Sequence, residues 1–212
     1  MGIIKKFSMR EQCYDIIKRK ILRQEYNLGE DINIAQLSSE LSVSNTPIRE
    51  ALSQLEADGL VITSLNAKPQ VVSLTTASFR DISHTVYVLV VGAYELCVRE
   101  ERIDKCLRMM KKSIDAQDNL LAKGDYYRFI EETVYFDQII FEALENSNLL
   151  SMFNRLSNIL FLMYRTNHQR DDWDHSRSIS EHRRICEAIE SGNHQEVEEL
   201  LFWHYEQTYD ER

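Results

Sequence analysis

Proline is nearly missing from this chain: Pro47 and Pro69 are the two among 212 residues. Nothing after position 69 carries the ring that breaks helices, so long uninterrupted helices are open to the C-terminal two thirds. Cysteine is sparse as well. Cys13, Cys97, Cys106 and Cys186 are scattered with no CxxC pair, which excludes a zinc-ribbon pattern and reads as reduced structural thiols of a cytoplasmic protein. No apolar run reaches twenty residues, and the patch Val86–Gly92 sits between charged segments, so neither a membrane span nor a signal peptide is expected. The Met-Gly start has Lys6 where myristoylation needs a hydroxyl residue. Positive charge is also short: 25 Lys and Arg stand against 34 Asp and Glu, a net −9. That balance argues against an unspecific nucleic-acid coat protein. The deficit is uneven. Residues 1–75 sum to zero, so all of the excess negative charge lies beyond them. A neutral N-terminal part must gather its cations on one face to meet a polyanion. Lys5, Lys6, Arg10, Lys18, Arg19, Lys20, Arg23, Arg49 and Lys68 are available. No internal repeat or low-complexity stretch is present. The 43% hydrophobic content suffices for real cores, and the length fits two domains.

Residues 33–62 are the most informative stretch. Asn33 with Gln36 makes an approximate capping box for a short helix carrying Leu37 and Leu41 one turn apart. A second helix is expected from Thr46-Pro47, where threonine caps free amides and proline is tolerated at the first helical position. Ile48, Leu52 and Leu55 recur at helical spacing and face inward. Ser44, Asn45, Thr46, Arg49 and Ser53 remain free to touch a partner. Gly59 ends the helix, with Leu60 folding back on Leu55 as in a Schellman cap. Leu60–Thr63 and Gln70–Leu74 then read as two strands around a turn holding Lys68. Ahead of these, Ser8 with Glu11 starts a helix whose apolar face carries Tyr14, Ile17 and Ile21. The whole is a winged helix-turn-helix over residues 1–74, whose exposed second helix a DNA major groove can accept.

Residues 75–78 read as a linker, and 79–212 as an all-α bundle. Helices are expected near 78–100, 102–122, 125–146, 148–167, 177–191 and 194–210, with Asn193 and Glu196 capping the last. Three polar residues fall on apolar stripes. Asp137 lies with Thr133, Ile140 and Leu144. His182 lies with Ile185, Cys186 and Ile189, and His204 with Val197, Leu200 and Leu201. Buried unpaired, each would cost several kcal/mol. Shared coordination of a cation would remove that cost. A metal-free core with an Asp–His hydrogen bond would do so too, and a misread helix face would leave the histidines at the surface. His84, His168, His175 and His194 read as solvated or loop residues.

At this point two resemblances enter. Leu41–Leu52 followed by Leu55–Val61 resembles the signature of GntR-family bacterial transcription regulators, with the likeness spanning about residues 8–74. This implies that Arg49 contacts a base or phosphate. Asn45, Ala35 and the Asn66–Pro69 wing stand where the family commonly has arginines and a glycine with a basic neighbour. Glu181–Ile185, Ala188–Asn193 and His204 resemble the effector domain of the FadR subfamily, the FCD domain. Regulators of this kind hold a divalent metal, often zinc or nickel, through an aspartate and three histidines, and a small carboxylate can complete the coordination. The resemblance places Asp137 at one of the histidine positions, Thr133 at the aspartate position, and His182 and His204 on matching ligands. It also puts Tyr87 and Val91 at pocket-facing positions of the first helix of this domain. Tyr164 and Arg165 could anchor a carboxylate.

The expectation is therefore a dimeric, ligand-responsive regulator, mostly a repressor, that binds a near-palindromic DNA operator. A constitutive DNA-binding protein with a metal-free dimerisation domain stays open. So does a metal-dependent enzyme on Asp137, His182 and His204, though no nucleophile motif or paired acid and base accompanies them.

Overall fold

The computed structural model describes residues 8–65, 67–168 and 174–206. Lys5, Lys6, Asn66, the side chain of His168, most of the expected break at 167–174 and the last turn of the expected final helix lie outside the described residues. The chain divides into two compact units, Met1–Leu74 and Thr75–Arg212.

In the first unit α1 spans Met9–Leu22, α2 Ile34–Leu41 and α3 Asn45–Ala57. Ser8 and Glu11 form the reciprocal capping box that starts α1. Cys13, Ile17 and Ile21 turn inward from α1, while Tyr14 is half-buried and donates its hydroxyl to Asp58. The turn between α2 and α3 is held by Ser38, whose hydroxyl donates to the Val43 carbonyl and whose own carbonyl accepts from the Val43 N–H. Helix α3 begins two residues earlier than expected. Ser44 is its N-cap, without a side-chain cap bond, so Thr46 does not cap it. Pro47 still lies in the first turn, where no intrahelical donor is lost. Ile48, Leu52 and Leu55 are all essentially solvent-free, as their spacing requires. The exit is a Schellman motif: Leu60 N–H reaches the Leu55 carbonyl, Gly59 N–H reaches Glu56, and Gly59 takes φ +76°.

The wing is smaller than expected. Strands β1 (Val61–Ile62) and β2 (Gln70–Val71) pair antiparallel, Val61 opposite Val71 and Ile62 opposite Gln70. Thr63 leaves the ladder because its N–H and hydroxyl are both spent on the Glu56 carboxylate at the end of α3. The other edge of β2 is taken up by the segment before α2, with Val71 N–H on Glu30 and Ile32 N–H on Pro69.

The second unit holds α4 (Thr76–Arg99), α5 (Ile103–Ala122), α6 (Tyr126–Leu144), α7 (Ser147–His168), α8 (Arg177–Ser191) and α9 (His194–Glu206). The expected linker is not one: Thr75 and Ser78 form a reciprocal capping box, and residues 76–78 are the first turn of α4. Helix α4 is long and apolar enough, by length and composition, to cross a membrane, although no apolar run in the sequence reaches twenty residues. Its buried positions Ser83, Val86, Val90, Ala93, Tyr94 and Cys97 recur every three or four residues and pack toward α6, α7 and α9, the pattern of a bundle helix with one covered face. Helix α6 is the centre of the unit, touching α4, α5 and α7. Eleven of its nineteen residues are buried, so any polar side chain on its inner face is enclosed. All four cysteines are free and buried.

Candidate nucleic-acid interface and candidate metal centre

The amino end of α3 is exposed. Ser44, Asn45, Thr46, Arg49 and Ser53 are all solvent-facing, and so is Lys68 in the wing turn. Opposite them on the same helix, Ile48, Ala51, Leu52 and Leu55 seal it to α1 and α2. One helix thus separates an apolar attachment face from a polar face with free first-turn amides, which attract phosphate. The cations expected to form a basic face are only partly free. Lys20 is committed to Glu25 and Glu40, at 3.2 and 2.7 Å. Lys18 lies over the Tyr14 ring, and burial pulls its pKa down against the opposing charges of Asp58 and Asp15.

The second site is buried. Asp137 on α6, His182 on α8 and His204 on α9 each place a donor atom within 4.8 Å of the others. Their exposures are 3%, 0% and 6%. Three helices must converge for this. Asp137 is carried by the inner face of α6, His182 by the stripe with Ile185 and Ile189, and His204 by the stripe with Val197 and Leu201. His204 Nδ1 and Glu181 Oε2 are 2.7 Å apart, and the Glu181 carboxylate is also held by Arg177 at 2.9 Å. Burial raises the Glu181 pKa, but the bonds and charges of His204 and Arg177 outweigh it and leave it below the usual carboxylate range. Glu181 is therefore an anion that only accepts, and His204 Nδ1 donates. Burial pulls His204 down, yet Glu181 and Asp137 together raise it above its ordinary value. Asp137 is pushed up to about 6, first by burial, against the lowering pull of His204 and of the Tyr205 and Tyr164 hydroxyls. Tyr205 donates to its Oδ1 at 2.7 Å and Tyr164 to its Oδ2 at a long 3.4 Å. Burial, then the charge of Asp137, keeps both phenols protonated.

His182 lies flat on Phe136, with ring centroids 3.8 Å apart and planes 9° from parallel. Its Nδ1 meets Gln117 Oε1 at 3.0 Å, while its Nε2 is buried with no hydrogen-bond partner among the described residues. Burial, then the charge of His204, holds its pKa well below the ordinary value, so this ring is neutral. A buried polar nitrogen without a partner costs about 1–3 kcal/mol. Two imidazoles and a carboxylate are the donor set of a three-ligand divalent site, with bonds of about 2.0–2.2 Å. Tetrahedral bonds of that length hold donor atoms about 3.4 Å apart, so pairs now within 4.8 Å close the set by drawing together about 1.4 Å at most. These residues fit a zinc-like cation.

The remaining expected residues divide. Thr133 is buried one turn before Asp137, and its hydroxyl donates to the Phe129 carbonyl of its own helix. Tyr164 joins the cluster. Arg165 places its guanidinium 5.9 Å from the centre of the Tyr127 ring on α6, a cation–π contact rather than a contact to Asp137. Tyr87 stands edge-on to Phe202 on α9, with Glu198 facing its hydroxyl. The inward positions of α4 are Val86 and Val90, one residue away from Tyr87 and Val91. His194 is not simply solvated, since its Nδ1 bonds the Tyr94 hydroxyl at 2.6 Å. Gln117, Glu181 and Tyr205 belong to the cluster without having been expected there.

Comparison with known proteins agrees with both units. The model for bacterial regulatory proteins of the gntR family matches residues 9–65. The FCD domain model matches residues 91–207, more than half of the chain. The HTH-type transcriptional regulator YdhC of Bacillus subtilis (strain 168) is 25% identical over 92% of this chain and 86% of its own length. A Paenarthrobacter nicotinovorans protein, named as a transcriptional repressor of a D-xylose utilization operon, is 24% identical over 93% of this chain and 85% of its own. Among solved structures, a transcriptional regulator GntR of Rhodococcus sp. RHA1 superposes with a TM-score of 0.78 at 17% identity, covering 96% of each chain. McbR/YncC of E. coli does so with 0.74 at 19%, covering 95% of each. These two likenesses concern the fold. With its winged helix-turn-helix unit followed by an FCD domain, the chain belongs to the GntR family of bacterial transcription regulators.

Proposed function

We propose that this protein is a ligand-responsive regulator of the FadR subfamily, a cytoplasmic repressor that binds a near-palindromic DNA operator as a homodimer. The observation that carries the reading is the exposed polar amino end of α3 on an apolar scaffold. Regulators of this family bind DNA operators, and FCD domains bind small-molecule effectors. Two copies would set two such ends into successive major grooves about 34 Å apart. Asn45, Thr46 and Arg49 are the residues to reach base edges, with Ser44, Ser53 and Lys68 toward phosphates. Selection of duplexes from a random pool, at stated salt, tests this. The expected outcome is an enriched inverted repeat. A pool left unenriched contradicts the reading.

In the FCD unit, Asp137, His182 and His204 are assigned to a divalent ion, zinc or nickel. Its open position is available to one oxygen of a small carboxylate effector. Such an effector acts by binding one dimer arrangement more tightly than another. A second reading, a constitutive DNA-binding protein with a metal-free core, is favoured by the two tyrosine hydroxyls that already serve Asp137. Elemental analysis of the purified protein separates the two. Roughly one ion per chain supports the first, and a trace amount the second. Melting with small carboxylates, with and without a chelator, then reports on the effector.

A further inference from the structure

Behind His182 runs a chain of hydrogen bonds that ends on a group unable to donate. Ser113 on α5 places its hydroxyl 3.4 Å from the Glu132 carbonyl of α6. A carbonyl only accepts, so the hydroxyl proton points there, and Ser113 Oγ is left to accept. Gln117 Nε2, one turn on, donates to that oxygen at 3.3 Å. The amide orientation is thereby set, and Gln117 Oε1 faces His182 Nδ1 at 3.0 Å. An amide oxygen also only accepts, so Nδ1 carries the proton. A neutral imidazole has one proton, and Nε2 is left as a bare lone pair. Gln117 is fully buried and Ser113 nearly so, and water does not compete for these groups.

We propose that Gln117, backed by Ser113, is a positioning residue that fixes His182 in its Nδ1–H form and presents the Nε2 lone pair to the cation assigned to this cluster. The inference rests on the metal reading and adds to it the group that arms the ligand. Phe136 and Gln117 divide the work. Stacking on Phe136 sets the plane of the ring but is indifferent to which nitrogen lies on which side. The hydrogen bond from Nδ1 makes that choice. Glu181 stands to His204 as Gln117 stands to His182, since its carboxylate accepts from Nδ1. The two ligating rings are thus oriented by different chemistry, one by a neutral amide and one by an anion. The amide adds no third carboxylate to a core that already holds Asp137 and Glu181. Outer partners of this kind typically change metal affinity about 10–100-fold when removed.

Two measurements test the proposal on the full chain. Long-range proton–nitrogen correlation spectra of the chelator-stripped, histidine-labelled protein read which nitrogen of His182 carries hydrogen. Protonated Nδ1 is expected, and protonated Nε2 overturns the proposal. Zinc competition against a chromophoric chelator then compares variants of equal melting temperature. Gln117→Leu is expected to bind zinc about 10–100-fold more weakly, while Gln117→Glu, which keeps an acceptor facing Nδ1, retains wild-type affinity. Equal affinity in Gln117→Leu and the wild type overturns the proposal, as does an equal loss in both variants. If Gln117→Leu does not fold, Gln117→Glu and the spectra still decide it. A wild-type protein that takes up no zinc overturns the metal reading itself, whichever nitrogen is protonated.

Discussion

In Met1–Leu74 the polar residues assigned to recognition stand outside. Arg49, Asn45 and Thr46 project from a helix whose other face is solvent-free, and none of them holds the unit together. In Thr75–Arg212 the order is inverted. Asp137, His182 and His204 lie within the packing of three helices, and their partners Gln117, Glu181, Tyr164 and Tyr205 come from α5, α7, α8 and α9. A recognition residue of the first unit can be lost without loss of folding. Loss of Asp137, His182 or His204 in the second costs stability as well, because removing one group leaves another buried and unpaired. Function and stability are separable in one unit and fused in the other.

The largest break in this contrast is expected from His204→Ala. It leaves Asp137 and Glu181 facing one another without the imidazole between them, and about 3–5 kcal/mol of stability should disappear from the metal-free protein. Denaturant unfolding measures this, and a loss below about 1 kcal/mol would show that the cluster is not a structural unit. Next in size is Leu55→Ala in the first unit, which removes a solvent-free side chain that both attaches α3 and completes its C-terminal motif. A cost of about 2–5 kcal/mol is expected, and protease cleavage confined to the first unit would localise it. Gly59→Ala forces a side chain onto φ +76° and should cost about 1–2 kcal/mol. Its fingerprint is a lower melting temperature with an unchanged metal content.

Acidity sharpens the contrast further. The folded pKa of His204 is raised above 6.5, so the metal-free protein holds a proton there that a bound cation must displace. Zinc affinity should therefore fall as pH drops through that raised value. The folded pKa of His182 lies far below 6.5, so the unfolded chain takes up a proton that the fold refuses. His182 alone would therefore cost the metal-free protein stability as pH falls below 6.5, while the raised pKa values of Asp137, about 6, and of His204 oppose that loss. Zinc titrations and thermal melts between pH 5 and 8, a window of about 1.5 units either side of that reference value, check both signs. A zinc affinity independent of pH would remove His204 from the ligand set.

The first unit was legible almost residue by residue. Ile48, Leu52 and Leu55 follow helical period, and Gly59 stands where a positive φ is needed, because both signals are local. What escaped was the start of α3 at Asn45, a matter of two residues, and the shortness of the wing, which depends on Thr63 being captured by Glu56 seven residues back. In the second unit periodicity found Asp137, His182 and His204, since each lies on an apolar stripe. It could not find Glu181 or Tyr205, which are sequence neighbours of His182 and His204. Adjacent helical residues point about 100° apart, so a stripe that includes one excludes the other. Gln117 lay on a helix that drew no attention, and its role appears only when α5 and α8 come together. The positions that the resemblance makes pocket-facing on α4, Tyr87 and Val91, are half-buried, each one residue from the fully buried Val86 and Val90. The capping of α4 by Thr75 is not distinguishable from a linker in the sequence, because Thr75, Thr76, Ala77 and Ser78 are small residues that suit either role.

The claim on which the functional account depends is that the amino end of α3 is the DNA contact, and Arg49→Ala tests it most directly. The duplex selected by the wild-type protein is titrated with both proteins at one salt concentration. The account predicts a loss of about 1–3 kcal/mol of binding free energy, relaxed preference at one base pair of each half-site, and an unchanged melting temperature. Full affinity with unchanged sequence preference in the folded variant would contradict it.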